Sequence, residues 1–252
     1  MLDIESLRRF AAALDANLDV ERCAPPLAHW AYFLDIVSAT QIGSDGHCSR
    51  DRGILPPVRL PRRMFAGAAM QFCRPLSIGI AAELTLSLVG IKHRVNSGGD
   101  LVFVEIDRRL SQDGDIRVVE KQTIVYRAGF SAVPTVANNT RRNCDNEEIW
   151  SPSPVDLFRF SAATFNSHRI HYDAAYAREQ EGYPSLVVQG PFTAAKLFDF
   201  VQRREGPVSR FSFRATAPLF VDQEVRLVGG PVAGEVQAIR CDGVLAMSAR
   251  AG

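Results

Sequence analysis

The chain has 252 residues, 46% of them hydrophobic, and a formal net charge of +1 with both signs mixed along its length. That is enough apolar material for one large core or two small ones, and it gives no electrostatic basis for a nucleic-acid or membrane-surface partner. Five scattered cysteines (Cys23, Cys48, Cys73, Cys144, Cys241) with no C-x-x-C pair argue against a disulfide framework or a zinc site, and for a reducing, cytoplasmic location.

Residues 3 to 16 pattern as an amphipathic helix with Leu7, Phe10, Ala11 and Leu14 on one face. This segment is neither a signal peptide nor a membrane span, and no 18-residue apolar run occurs elsewhere. CAPPLAHWAYFLDIV, opening on paired prolines, reads as a second apolar helix with His29 packed beside Trp30. Residues 41 to 63, rich in Gly, Pro and charge, read as an extended loop of a length that is usually functional or disordered. His47 in this loop reads as a surface residue. Arg62 and Arg63 close the loop, and read either as cations that grip a carboxylate or phosphate or as solvated surface charges.

From Ala68 the pattern turns to strands, with Ser97-Gly98-Gly99-Asp100 and Gln112-Asp113-Gly114 marking hairpins of an antiparallel meander in which His93 is structural. Residues 129–156 lose all periodicity and read as a linker, with 129–150 the most mobile internal stretch and Trp150 as an anchor tucking it back. The domain reading is therefore 1–128, a linker 129–156, and 157–252. After it come a polar loop, a helix over 191–204 and four strands. An internal echo aligns Ala68 to Glu83 with Phe211 to Glu224, matching Pro75-Leu76 to Pro218-Leu219, which suggests duplication.

Most of the chemistry lies between Phe160 and Pro191. Pro191 suits a first helical turn, so Gly190 sits at a helix N-terminus where its N–H can polarise a carbonyl that gains negative charge. Upstream lie Asn166, His168, Arg169 and His171, then Asp173 as the cap of a short helix. His168 and His171 stand three residues apart with no carboxylate or cysteine completing a ligand set, so no metal is expected.

This segment resembles the MaoC-like, or (R)-specific enoyl-CoA hydratase, branch of the hotdog superfamily, whose pattern runs Asp-x-Asn-Pro-x-His-x-Asp and later His-Gly. Asn166 stands where the family has its catalytic Asp, His171 matches the catalytic His, Asp173 the trailing Asp, and Gln189-Gly190 replaces His-Gly. The wording FNSHRIHYD, with upstream LPPVRLPRRMFAG and HWAYF, is similar to double-hotdog acyl-CoA hydratases such as those of mesaconyl-CoA and itaconyl-CoA, relatives of the mitochondrial 3-hydroxyacyl-thioester dehydratase. The resemblance implies an α+β double hotdog, two long helices each wrapped by an antiparallel sheet. The first half lacks the motif, so one active site per chain is expected.

The implied activity is a hydro-lyase acting on a short branched dicarboxyl-CoA, with His171 as base, Asn166 orienting it or water, and Gly190 N–H binding the thioester oxygen. Arg169, Arg62, Arg63, Gln189 and His168 are the expected substrate contacts in a short polar pocket. No cofactor is expected beyond the CoA of the substrate. The expected partners are a small-molecule acyl-CoA and a second copy in a homodimer, without nucleic acid or membrane. The alternatives are a 3-hydroxyacyl-thioester dehydratase of fatty acid type, thioester hydrolysis, disfavoured because Asn166 is no base, and a non-catalytic acyl-thioester binding protein.

Overall fold

In a computed structural model, residues 1–16, 20, 23–50, 53–96, 98–128, 133, 135–136 and 146–252 are described. Helix α1 (Ile4–Leu14) is capped by Asp3, whose carboxylate accepts from the Ser6 N–H at 2.7 Å. Two short strands, β1 (Cys23–Ala24) and β3 (Leu76–Ser77), pair with each other. The remaining strands are β2 (Arg62–Phe72), β4 (Glu83–Asn96), β5 (Gly99–Gln112), β6 (Asp115–Arg127), β7 (Glu147–Trp150), β8 (Arg210–Ala215), β9 (Val225–Gly229), β10 (Glu235–Arg240) and β11 (Leu245–Ala251). They form one nine-stranded sheet in the order β4-β5-β6-β2-β8-β11-β10-β9-β7, with every pairing antiparallel.

The two halves join where β2 pairs with β8, in a register that sets Ala68 opposite Phe213 and Met70 opposite Phe211. These are the strands related by the internal echo. Their antiparallel contact puts equivalent elements side by side, as a duplicated unit joined edge to edge would require.

After the short helix α3 (Ala174–Glu179), helix α4 (Gly190–Glu205) is the long central helix. Phe192, Ala194, Leu197, Phe198, Phe200 and Val201 are all buried on it, more than one face can account for, because α4 packs against strands on one side and α1 and α2 (Pro154–Ala163) on the other. The stacked rings of Phe160 and Phe192, 4.8 Å apart, tie α2 to α4. Phe10 continues the row from α1.

The first half departs from the expected pair of wrapped helices. The run read as a second helix yields only a 3₁₀ turn, Ala28–Ala31. Leu27 and Phe33, at φ 69° and 55°, turn the chain out of helical geometry on either side. Buried polar bonds hold the turn instead: Trp30 Nε1 donates to Glu120 Oε1 at 3.0 Å, and His29 Nε2 lies 3.2 Å from Oε2. Burial pushes the Glu120 carboxyl up, but His29, then Arg108 and Gln122, outweigh it and hold it down at about 2.

In the stretch read as linker, most of 129–145 lies outside the described residues. Its end is ordered: Glu147–Trp150 pairs with β9, and Pro154 opens α2. Trp150 meets the Phe192 ring edge-on at 5.0 Å, the anchoring contact expected of it.

Candidate active site

The polar loop after α2 is shaped by Asn166, whose Oδ1 accepts from the His168 N–H at 3.1 Å. A 3₁₀ turn, Arg169–His171, then carries His171 inward. Val187 N–H donates to Ile170 O at 3.0 Å and Val188 N–H to Leu219 O at 2.9 Å, which stitches the 186–188 run between this turn and the 219–221 segment. Next comes Gly190 at the start of α4, with Pro191 in the first turn and no side chain capping that end.

His171 is 7% exposed, and its Nδ1 lies 2.6 Å from Val187 O. A carbonyl oxygen only accepts, so Nδ1 carries the hydrogen and Nε2 keeps its lone pair. Burial, helped by nearby His47, pulls its pKa down to about 4 against the opposing effect of the Val187 bond. At neutral pH His171 is a neutral imidazole with its basic nitrogen available.

A cavity of about 730 Å³ opens here, lined by Asn166, His168, His171 and Gly190 among others. A Cβ built on Gly190 would meet no protein atom nearer than Phe65 O at 3.8 Å. The space above this helix N-terminus is therefore open to a ligand.

The three predicted arginines separate. Arg62 and Arg63 belong to β2 rather than to the preceding loop, and both line the cavity. Arg62 is an anchor: its Nε donates to Glu181 Oε2 at 2.7 Å and it also bonds Gln180 O. Arg63 lines the cavity close enough to His47 and His168 to disfavour their protonation, and among the described residues it has no ion-pair or hydrogen-bond partner. Arg169 is turned away from the cavity. Its guanidinium holds Asp173 at 2.7 Å, bonds Ser44 O, and lies over the Tyr176 ring.

Gln189 lines the cavity and is also a structural tie. Its amide nitrogen donates to Leu157 O and Ser161 Oγ, both at 2.9 Å, so the side chain fastens α2 to the start of α4.

The sequence reading missed Asp45 and His47. Residues 43–47 form a tight turn, with Gly43 N–H donating to His47 O, and it docks on the site loop. Ser167 Oγ donates to Gly46 O at 2.6 Å and Arg169 N–H to Asp45 O at 2.9 Å. Gly46 has φ 88°, and a Cβ there would lie 1.9 Å from Ser167 O, so only glycine permits the contact. The turn brings the His47 ring to 4.0 Å from that of His168, which is 5.3 Å from that of His171. His47 Nδ1 lies 3.1 Å from Asp45 Oδ2. Burial would raise the Asp45 carboxyl, but the His47 hydrogen bonds and charge hold it well below the usual range. Burial also depresses His47 and, more strongly, His168. Among the described residues no group of three or more His, Cys, Asp or Glu side chains is arranged to hold a metal ion.

Beyond the histidines the cavity runs along the first half's sheet, where Ile106, Ile124 and Leu86 give it an aliphatic wall facing Ile54 and Leu55. The charged groups Arg63, Arg108, Arg127 and Glu181 line the same cavity beside these aliphatic residues.

Residues 27–221 match the family model described as hydroxyacyl-thioester dehydratase type 2. The chain belongs to this family. This type 2 dehydratase family member is 41% identical over 230 residues, 89% of its length and 82% of the relative's, to the mesaconyl-C(4)-CoA hydratase of Chloroflexus aurantiacus. As a dehydratase-family enzyme it is a hydro-lyase. In fold it is similar to the crystal structure of HtdX from Mycobacterium tuberculosis, with a TM-score of 0.72 at 15% identity over 99% of this chain and 96% of that one. It is likewise similar to a Mycobacterium tuberculosis protein described as a double hotdog, with a TM-score of 0.58 at 11% identity over 100% and 92%. The architecture is a double hotdog of α+β class, with its long helix in the second half.

Proposed function

We propose that this enzyme adds water to, or removes it from, a short branched dicarboxyl-CoA thioester of the mesaconyl or itaconyl type, with citramalyl-CoA as the hydrated product. The observation that carries the reading is Arg63, a cation on the cavity wall beside the histidines without a protein partner among the described residues. Burying a free carboxylate unpaired costs several kcal/mol, and an open guanidinium removes that cost. The likeness to a mesaconyl-C(4)-CoA hydratase supports the same substrate class.

In the hydration direction, His171 Nε2 takes a proton from water as its oxygen bonds to the β-carbon. The electrons of the double bond move toward the thioester, whose oxygen is stabilised by Gly190 N–H and the positive end of α4. The proton then returns from His171 to the α-carbon. With Oδ1 already bonded to His168 N–H, Asn166 has its amide NH₂ left to orient substrate or water. In this reading the second unit, 157–252, supplies the reacting groups, and the first, 1–128, supplies Arg63 and the aliphatic wall. The enzyme works as a homodimer in the cytoplasm.

A second reading, dehydration of a longer 3-hydroxyacyl thioester of fatty acid type, is favoured by the wall of Ile54, Leu55, Ile106 and Ile124. Turnover of mesaconyl-CoA and itaconyl-CoA against crotonyl-CoA and octenoyl-CoA decides between them. The first reading requires the dicarboxyl substrates to be preferred, and Arg63→Gln to raise their KM at least tenfold while leaving crotonyl-CoA within threefold. Better turnover of octenoyl-CoA would replace it with the second.

A further inference from the structure

Two imidazoles in this cavity are prepared in the same way. His171 donates Nδ1–H to Val187 O, and His47 faces the Asp45 carboxylate through Nδ1 at 3.1 Å. An ionised carboxylate only accepts, so the His47 hydrogen sits on Nδ1. Its Nε2 is a lone-pair nitrogen with no partner among the described residues, and the ring lines the same cavity as His171. The turn presenting it is built for that position. Its docking on Ser167 and Arg169 uses a glycine that no other residue can replace, and His47 N–H donates to Asp45 Oδ1 at 2.9 Å, so the carboxylate grips both ends of the histidine.

The site also has a chemical need for such a group. Water attacking a carbon presents one lone pair and holds two hydrogens, and two acceptors are required to fix its orientation. His171 supplies one. The amide oxygen at 166 already accepts from His168 N–H, while His47 Nε2 has no partner among the described residues.

We infer that His47, oriented by Asp45, is a second catalytic residue of the hydration: its Nε2 accepts the other hydrogen of the attacking water, across the two halves of the chain from His171. This rests on the reaction proposed above. No bond to His47 is made or broken. The O–H that breaks delivers its proton to His171, the new C–O bond forms at the β-carbon, and the hydrogen held by His47 stays on the product hydroxyl. In dehydration the same nitrogen holds the departing hydroxyl by its hydrogen while His171 supplies the proton that makes it water.

The test compares the wild type, His47→Ala, His47→Gln, Asp45→Asn, His171→Ala and the His47→Ala/His171→Ala pair, by steady-state kinetics on the preferred enoyl-CoA with melting curves on each. Expected for His47→Ala is a fall in kcat of about ten- to a hundredfold with KM within threefold, and partial recovery with added imidazole. His47→Gln, whose carbonyl oxygen is also an acceptor, is expected to keep more activity, and Asp45→Asn to lose about three- to tenfold. The double variant is expected to be scarcely worse than His171→Ala, because both act on one water.

If His47→Ala keeps kcat within twofold, or raises KM alone, His47 is not catalytic, provided His171→Ala is impaired. A wild type that hydrates no enoyl-CoA would overturn the underlying reaction instead. Should His47→Ala unfold, Asp45→Asn with an unchanged melting curve and unchanged kcat refutes the inference by itself.

Discussion

The ionisation of His171 gives the sharpest test of the site. An ordinary imidazole has a pKa near 6.5, whereas burial holds this one at about 4. At pH 5 a base of pKa 6.5 is neutral in about 3% of molecules and one of pKa 4 in about 90%, a difference of roughly thirtyfold in competent enzyme. Since kcat/KM reports the free enzyme, its acid limb should stay flat down to about pH 5 and fall only as pH approaches 4. The assay is loss of enoyl-thioester absorbance from pH 4.5 to 8, with circular dichroism at each pH.

The same shift acts on stability. The folded value lies below the unfolded one, so the unfolded chain binds the proton more readily between about pH 6.5 and 4. Stability is therefore lost as pH falls through that window, by up to about 3 kcal/mol for His171, and is unaffected above pH 7. Circular dichroism separates this loss from a catalytic one. A tenfold fall in kcat/KM between pH 7 and 5, with the fold intact, would show that the reacting base titrates normally and is not this buried histidine.

Glu120→Ala should destabilise the protein by about 3 to 5 kcal/mol in urea titrations, because it leaves His29, Trp30 and Gln122 without their shared buried acceptor and Arg108 without its ion-pair partner; a cost below 1 kcal/mol would show that the cluster is not coupled. Gly46→Ala should lower activity at least tenfold with His171 untouched, since a Cβ at 1.9 Å from Ser167 O expels the turn; wild-type kinetics would deny that the docking matters. Gly190→Ala should leave the melting temperature unchanged or slightly higher, its Cβ meeting only Phe65 O at 3.8 Å, while kcat/KM falls about tenfold or more as the methyl occupies substrate space. Unaltered kcat/KM would place the thioester elsewhere.

Local signals carried much of the architecture. Alternation and turn chemistry in 68–127 announced the antiparallel strands, Pro191 marked the first turn of α4, and the spacing from Asn166 to Asp173 with Gly190 downstream marked the candidate reacting groups. These patterns are properties of neighbouring residues, and the backbone realises them wherever the segment is placed. The first-half helix failed for the opposite reason. An apolar run at helical spacing was overruled by Glu120, ninety residues away, which draws Trp30 and His29 into a buried polar cluster.

The same limit governed the site. Arg62, Arg63 and Arg169 were equivalent as cations in the sequence, and tertiary contacts separated them: Glu181 takes the first, Asp173 and Tyr176 the third, and Arg63 is left on the cavity wall. His47 read as surface because nothing within its own loop except Asp45 holds it. The sequence by itself determined the strands and the long helix and singled out His171 as the candidate base, because each follows from short-range periodicity or from a motif written within about 25 residues. Only the tertiary structure decided which charges stay free and which three histidines share a cavity, because those depend on a turn from residues 43–47 closing over a loop more than 120 positions away, held by hydrogen bonds and a glycine contact that no local pattern encodes.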